Sequence, residues 1–175
     1  MGDITPHFSR FEFTCRCGCG FDDIAPETVE KLEKLYTYLS RTPRGVLSVI
    51  VNSGCRCPDY SVQVGGYRTD AHTKGLAADI CARDNSGAWY SGHELAAVAE
   101  KVGFTGIGVM VNACHVDTRN AHNYSNAHWY GNEITGEDNI KTFAEWLPLT
   151  ADAPAKKHTI TVLIDGVKII EKEFE

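Results

Sequence analysis

No apolar run in the chain approaches the ~20 residues that a membrane-spanning helix needs. The opening MGDITPHFSRFEF has no charged head followed by an apolar stretch. It does not read as a secretory signal, so synthesis in the cytoplasm is the expectation. Basic residues are the minority, 17 Lys and Arg against 23 Asp and Glu, for a net charge of −6. That balance argues against a nucleic-acid footprint and against a polybasic membrane patch, and neither partner is expected. Internal repeats and low-complexity tracts are absent. What remains is an ordinary globular chain. Its 175 residues suit one compact domain with a small appendage, and 43% hydrophobic residues supply a core.

Local patterns outline the elements. Ala25 to Leu39 reads as a helix, with Pro26 in its first turn and an apolar stripe of Val29, Leu32, Tyr36 and Leu39. Val46 to Gly54 is β-branched and ends at turn residues, the pattern of a buried strand. PDYSVQVGG is a short turn or a single helical turn, and Leu76 to Ala82 is a second strand. Ser91 to Val102 is a second helix: Ser91 and Glu94 form a capping box and Gly103 ends it. TGIGVMVNACHVDTR reads as two strands joined by a tight turn at Asn112 and Ala113. HTITVLIDGVKIIEKEFE alternates about Asp165-Gly166, a hairpin signature. The expected class is α+β, helices packed on a small antiparallel sheet. Residues 1–147 form the domain, 148–158 a linker rich in Ala and Pro, and 159–175 a hairpin appendage.

Chemistry concentrates in RTDAHTKGLAADI. His72 and Asp79 lie seven residues apart, with only small residues at 75, 77 and 78. A loop histidine followed by a strand carboxylate is a ligand pair suited to Zn²⁺. A catalytic zinc needs a third protein ligand and an open position. His115 in ACHVDTR supplies the candidate, and Asp117, two residues on along a strand, faces the same way.

Seven cysteines are many for a cytosolic protein, and the odd number leaves at least one unpaired within the chain. Cys81 and Cys114 sit in apolar runs and read as small core residues. Cys15, Cys17 and Cys19 in CRCGC, with Cys55 and Cys57 in CRC, form either a structural zinc site or disulfides. Pairing of Cys15 or Cys17 with Cys57 staples the N-terminal arm beside Arg56. RNAHNYSNAHWYG reads as a polar, aromatic loop, in which His128, Trp129 and Tyr130 are candidates to wall a cleft.

Taken together, SGCRCPDYSVQVGG, DAHTKGLAADI, GIGV and HVDTR resemble the zinc D-Ala-D-Ala carboxypeptidases and related M15-type peptidoglycan peptidases, in the branch with H-V-D. The opening HFSRFEFTCRCGCG is similar to the N-terminal segment of that branch, and the resemblance spans residues 7 to 130. It implies an M15-like fold, with His72, Asp79 and His115 as ligands of one catalytic zinc and Arg56 as the residue that engages a substrate carboxylate or carbonyl. A guanidinium fork suits that task. Two departures stand out. Asp70 replaces the serine of S-x-H-x-x-G-x-A-x-D, either to orient a ligand histidine or as a loop aspartate. Asn112 stands where many relatives carry a catalytic carboxylate three residues before the last histidine, which leaves Asp117 as general base or as partner of His115. The resemblance further implies peptidoglycan peptides as the partner, and action at the cell wall after lysis, as a phage endolysin, or by non-signal export. A non-catalytic zinc-containing binding module and a virion structural module are the alternatives.

Overall fold

A computed structural model describes residues 1–131 and 140–151, together with the backbone of 158–164 and 167–174. Its centre is a five-stranded sheet in the order β1-β2-β4-β3-β5. The strands are β1 (Ser48–Ser53), β2 (Ala77–Arg83), β3 (Gly106–Val109), β4 (Cys114–Asp117) and β5 (Ala127–Tyr130). Helices α1 (Arg10–Phe13), α2 (Pro26–Ser40), α3 (Pro58–Gln63) and α4 (Gly92–Val102) complete the domain. The class is α+β, as expected.

Alternation along the strands separates two faces. Ala78, Ile80 and Ala82 of β2, Cys114 and Val116 of β4, and Ile107 and Val109 of β3 enter the hydrophobic core. Leu95, Ala96, Val98 and Ala99 of α4 and Val29, Leu32, Leu35 and Leu39 of α2 belong to the same core. Residues 77, 79, 115 and 117 take the opposite face, because side chains on a strand alternate. Leu35, not Tyr36, completes the buried stripe of α2. Tyr36 lies at its edge, stacked on His7 with ring centroids 3.6 Å apart. The Ser91 hydroxyl accepts the Glu94 N–H, and Gly103 ends α4 in the left-handed conformation, both as the sequence predicts.

Three elements differ from expectation. β1 is an edge strand with alternating burial, so one flank of it faces solvent. α1 was not foreseen, although Ser9 and Glu12 carry the same capping signature as Ser91 and Glu94: the Glu12 carboxylate accepts the Ser9 N–H at 2.6 Å. The HWY segment is a strand, not a loop. β5 pairs parallel with β3, so the sheet is antiparallel in three pairings and parallel at one edge. Within residues 140–151, the Phe143 N–H donates to the Glu100 carboxylate of α4 at 2.8 Å, and the Ala151 N–H donates to the Arg41 carbonyl at the end of α2 at 2.6 Å. Residues 152–157 of the expected linker and the Asp165-Gly166 turn lie outside the described residues. The flanking segments form β6 (His158–Ile164) and β7 (Val167–Phe174), paired antiparallel.

Candidate metal centre

The β2–β4 register places Asp79 directly opposite His115. Cross-strand neighbours on one face bring their side chains within contact distance. His72 opens a single 3-10 turn that ends at Gly75 in the left-handed conformation, with φ 68°. The Asp23 carbonyl fills the place a Cβ at residue 75 would need, and Ala25 N–H bonds to the Gly75 carbonyl at 2.8 Å. A side chain at 75 would therefore clash as well as strain the backbone. This turn returns the chain, so that His72 hangs over the strand carrying Asp79.

The three donors converge. His72 Nε2 lies 3.2 Å from His115 Nδ1 and 3.4 Å from Asp79 Oδ1, and His115 Nδ1 lies 2.9 Å from Asp79 Oδ1. Ligands on a tetrahedral zinc with bonds of ~2.0–2.1 Å stand about 3.3 Å apart. The triangle is thus close to one face of such a tetrahedron, and borderline nitrogen with carboxylate oxygen is a zinc donor set. The residues fit the ion.

Each ligand is held from behind. His72 Nδ1 donates to the Gly54 carbonyl at 2.7 Å, which turns Nε2 inward. His115 Nε2 meets Asp117 Oδ2 at 3.1 Å. The outer oxygen of Asp79 pairs with Arg56 Nη2, and Arg56 Nε donates to Ser53 Oγ at 2.9 Å. The electrostatics follow from this packing. Burial alone would lower the His115 imidazole, but the Asp117 and Asp79 carboxylates outweigh it and push it up to about 9. Burial would raise the Asp79 carboxyl, but the His72 and His115 rings hold it well below the usual carboxylate range.

Asp117, expected as general base or as partner of His115, is not among the residues that line the cleft. It is fully buried. One oxygen takes the Arg119 N–H at 2.9 Å and the Arg119 Nε at 3.0 Å, and the other takes Arg119 Nη2 at 2.7 Å beside the His115 contact. Burial would raise its carboxyl, yet the hydrogen bonds from His115 and Arg119 keep it far below the ordinary value. It is a partner of His115. Arg119 escaped the sequence reading: HVDTR sets it two residues from Asp117, but in the 3-10 turn that follows β4 rather than on the strand. Among the described residues, Asp70 hydrogen-bonds to no histidine. It accepts from the Ser61 hydroxyl, from the Thr73 N–H at 2.9 Å and from the Tyr67 N–H at 3.3 Å, so it ties together the loop over the cleft.

The cleft itself encloses about 320 Å³. His72, Asp79, His115, Arg56 and Asp70 line it, with Tyr67, Met110 and Trp129 among its walls. Trp129 is buried against the His115 ring, 5.2 Å between centroids. His128, next along β5, points the other way and packs on Phe143 at 5.1 Å. His122 is exposed, 3.5 Å from Glu27. Asn112 is exposed in the β3–β4 turn. Of the five cysteines expected to act together, Cys15, Cys17, Cys19 and Cys57 gather, whereas Cys55 is buried in the hydrophobic core. Cys114 is in the core, and Cys81 is buried with its thiol 3.7 Å from Asn52 Oδ1.

Comparison with curated proteins and with solved structures returns no match. The family model Peptidase M15 matches residues 6–118. Peptidases M15 are zinc-dependent metallopeptidases, and the matched span takes in Arg56, His72, Asp79, His115 and Asp117. A match over well more than half of the 175 residues, carrying the whole ligand triangle, means that the chain belongs to the Peptidase M15 family.

Proposed function

We propose that the chain hydrolyses a peptide bond in the stem peptides of bacterial peptidoglycan, with His72, Asp79 and His115 as the protein ligands of one catalytic zinc. The reading rests chiefly on the triangle of donors 2.9–3.4 Å apart in the wall of an open cleft. When bound there, zinc supplies Lewis-acid polarisation of the scissile carbonyl and activation of water. The protein's own residues do the rest. Asp117 is a positioning residue: it holds His115 in the orientation that presents Nδ1 to the centre. Arg56 orients Asp79. Its guanidinium carries five N–H donors, and the bonds to Ser53 and Asp79 engage only part of that set. Its fork therefore also serves a peptide carboxylate or a developing oxyanion. Tyr67 and Trp129 wall the cleft against the peptide. Residues 1–147 form the peptidase unit and 159–175 an appendage.

The alternative, a zinc-containing wall-binding module without chemistry, draws on one observation. Among the described residues that line the cleft, the carboxylates are Asp70 and Asp79, and both are already engaged. Defined stem peptides separate the two. The peptidase reading expects new amines from the full chain, abolished by chelator and by His72→Ala. Released D-Ala identifies a carboxypeptidase, internal fragments an endopeptidase, and clearing of purified walls a lysin. Zinc bound by the wild type and lost in His72→Ala, with intact peptides throughout, rejects hydrolysis and supports the binding module.

A further inference from the structure

A second convergence of ligand atoms lies at the start of α3. The sulfurs of Cys15, Cys17, Cys19 and Cys57 all fall within 4.8 Å of one another. Cys15 and Cys17 Sγ are 3.4 Å apart, and Cys17 and Cys57 Sγ are 3.6 Å apart. All four are free thiols. Four sulfurs bound to zinc at ~2.3 Å stand about 3.8 Å from one another. The group thus gathers about one point at close to that spacing, as one ion requires.

The backbone is shaped for this. On an extended strand, residues two apart are separated by ~6.6–6.8 Å. Here the Gly18 N–H returns to the Cys15 carbonyl at 3.2 Å, and Gly18 and Gly20 take φ of 82° and 81°. The arm curls, and its three cysteines turn toward one centre. The fourth comes from far along the chain: Cys57 caps α3, and its N–H points at Cys15 Sγ at 3.3 Å. An N–H donor aimed at sulfur favours the thiolate that a metal requires.

We propose that Cys15, Cys17, Cys19 and Cys57 hold a structural zinc ion that clamps the N-terminal arm onto residues 53–57. A soft tetrathiolate selects such a metal, and four protein ligands leave no open position for substrate. The clamped segment carries the outer contacts of the cleft. Gly54 holds His72, and Arg56 holds Asp79. The arm packs there as well: Cys55 N–H donates to the Phe13 carbonyl at 2.8 Å, and a Cβ at Gly54 would run into Phe13. The cysteine zinc therefore positions the cleft's ligands from behind. That last link rests on the zinc-peptidase reading, whereas occupancy of the cysteines does not.

The test is metal analysis of the full chain purified under reducing conditions. Wild type should carry about two zinc ions per chain, and Cys19→Ser and His72→Ala about one each. After exchange into cobalt, wild type and His72→Ala should show sulfur-to-cobalt charge-transfer bands, and Cys19→Ser should lose them. Should Cys19→Ser fail to fold, the wild-type cobalt spectrum decides, together with alkylation in denaturant and chelator without reductant. Seven modified thiols support the site, since the chain has seven cysteines. Fewer than seven would mean disulfides and overturn it. Absence of thiolate bands, or iron in place of zinc, would overturn it too. A zinc lost only in His72→Ala would leave the peptidase reading standing without the cysteine site.

Discussion

His115 lies between two carboxylates, and its behaviour follows from that position. Asp79 and Asp117 hold its imidazole up to about 9, so in the metal-free protein it is charged at neutral pH. Zinc must displace that proton. Zinc affinity should therefore rise by about tenfold per pH unit through the neutral range and level off near the His115 value. Competition with a chromophoric chelator at several pH values checks this, and a flat profile would reject it. The stability of the metal-free protein runs the opposite way. A raised folded value contributes fully below the ordinary histidine value of 6.5 and is lost as pH rises through about 9. Urea midpoints of the metal-free chain should fall over that window, while those of the zinc-loaded chain should not. Asp117→Asn removes the charge behind His115 without changing shape. It should cost about 10–100-fold in zinc affinity, and an unchanged constant would take Asp117 out of its positioning role.

Among elements, β3 matters most for what it leaves out. Its register puts Gly106 opposite Asp117 and Gly108 opposite His115. A Cβ at residue 106 would land on the Asp117 carboxylate, and one at 108 would meet the Trp129 indole at 2.5 Å. The two glycines therefore make room for the charged and aromatic side chains that back His115. Gly106→Ala should reproduce the zinc-affinity loss of Asp117→Asn, because it displaces the same carboxylate, and the double variant should lose little more than either single one. Isothermal titration of the three variants measures it, and independent, additive losses would show that the glycine acts elsewhere. GIGV reads as a strand in the sequence. The reason for its glycines appears only once β4 and β5 lie on either side of it.

Across the whole molecule, Arg44 links three regions remote from the cleft. Its guanidinium bonds Asp84 beyond β2 at 2.9 Å and Glu94 in the first turn of α4 at 2.8 Å, and it lies over the Tyr90 ring at 4.2 Å. Asp84 also takes the Ser86 hydroxyl at 2.6 Å and two backbone N–H groups. The Ser86 hydroxyl first, then Arg44 and those N–H groups, lower its carboxyl to about 2. A depressed carboxyl stabilises the fold above its unfolded value near 3.8, and that contribution disappears as pH falls through about 2. Asp84→Asn should lower stability at neutral pH and flatten the acid limb of a denaturation profile. Parallel profiles for variant and wild type would contradict this.

The sequence alone was enough for α2, α4 and the strands that carry His72's partners, because helical stripes, caps and turn residues are local signals. It also sufficed to nominate His72, Asp79 and His115, whose ligand chemistry and spacing are written within two short segments. Burial and long-range pairing had to come from the tertiary structure. β5 has four residues, too few for a periodic signal, and its partner β3 lies across a turn, a strand and a loop, in parallel. Asp117 looked like a cleft carboxylate because β4 turns it to the same side as His115, but the sheet around Gly106 and the fork of Arg119 bury it. Spacing alone does not separate Cys55, which stays out of the cluster, from Cys19. The place of Cys19 in the cluster depends on a curled arm meeting a cysteine 38 residues further on. Residue type and spacing are local properties of a chain, whereas convergence and desolvation exist only after distant segments have packed.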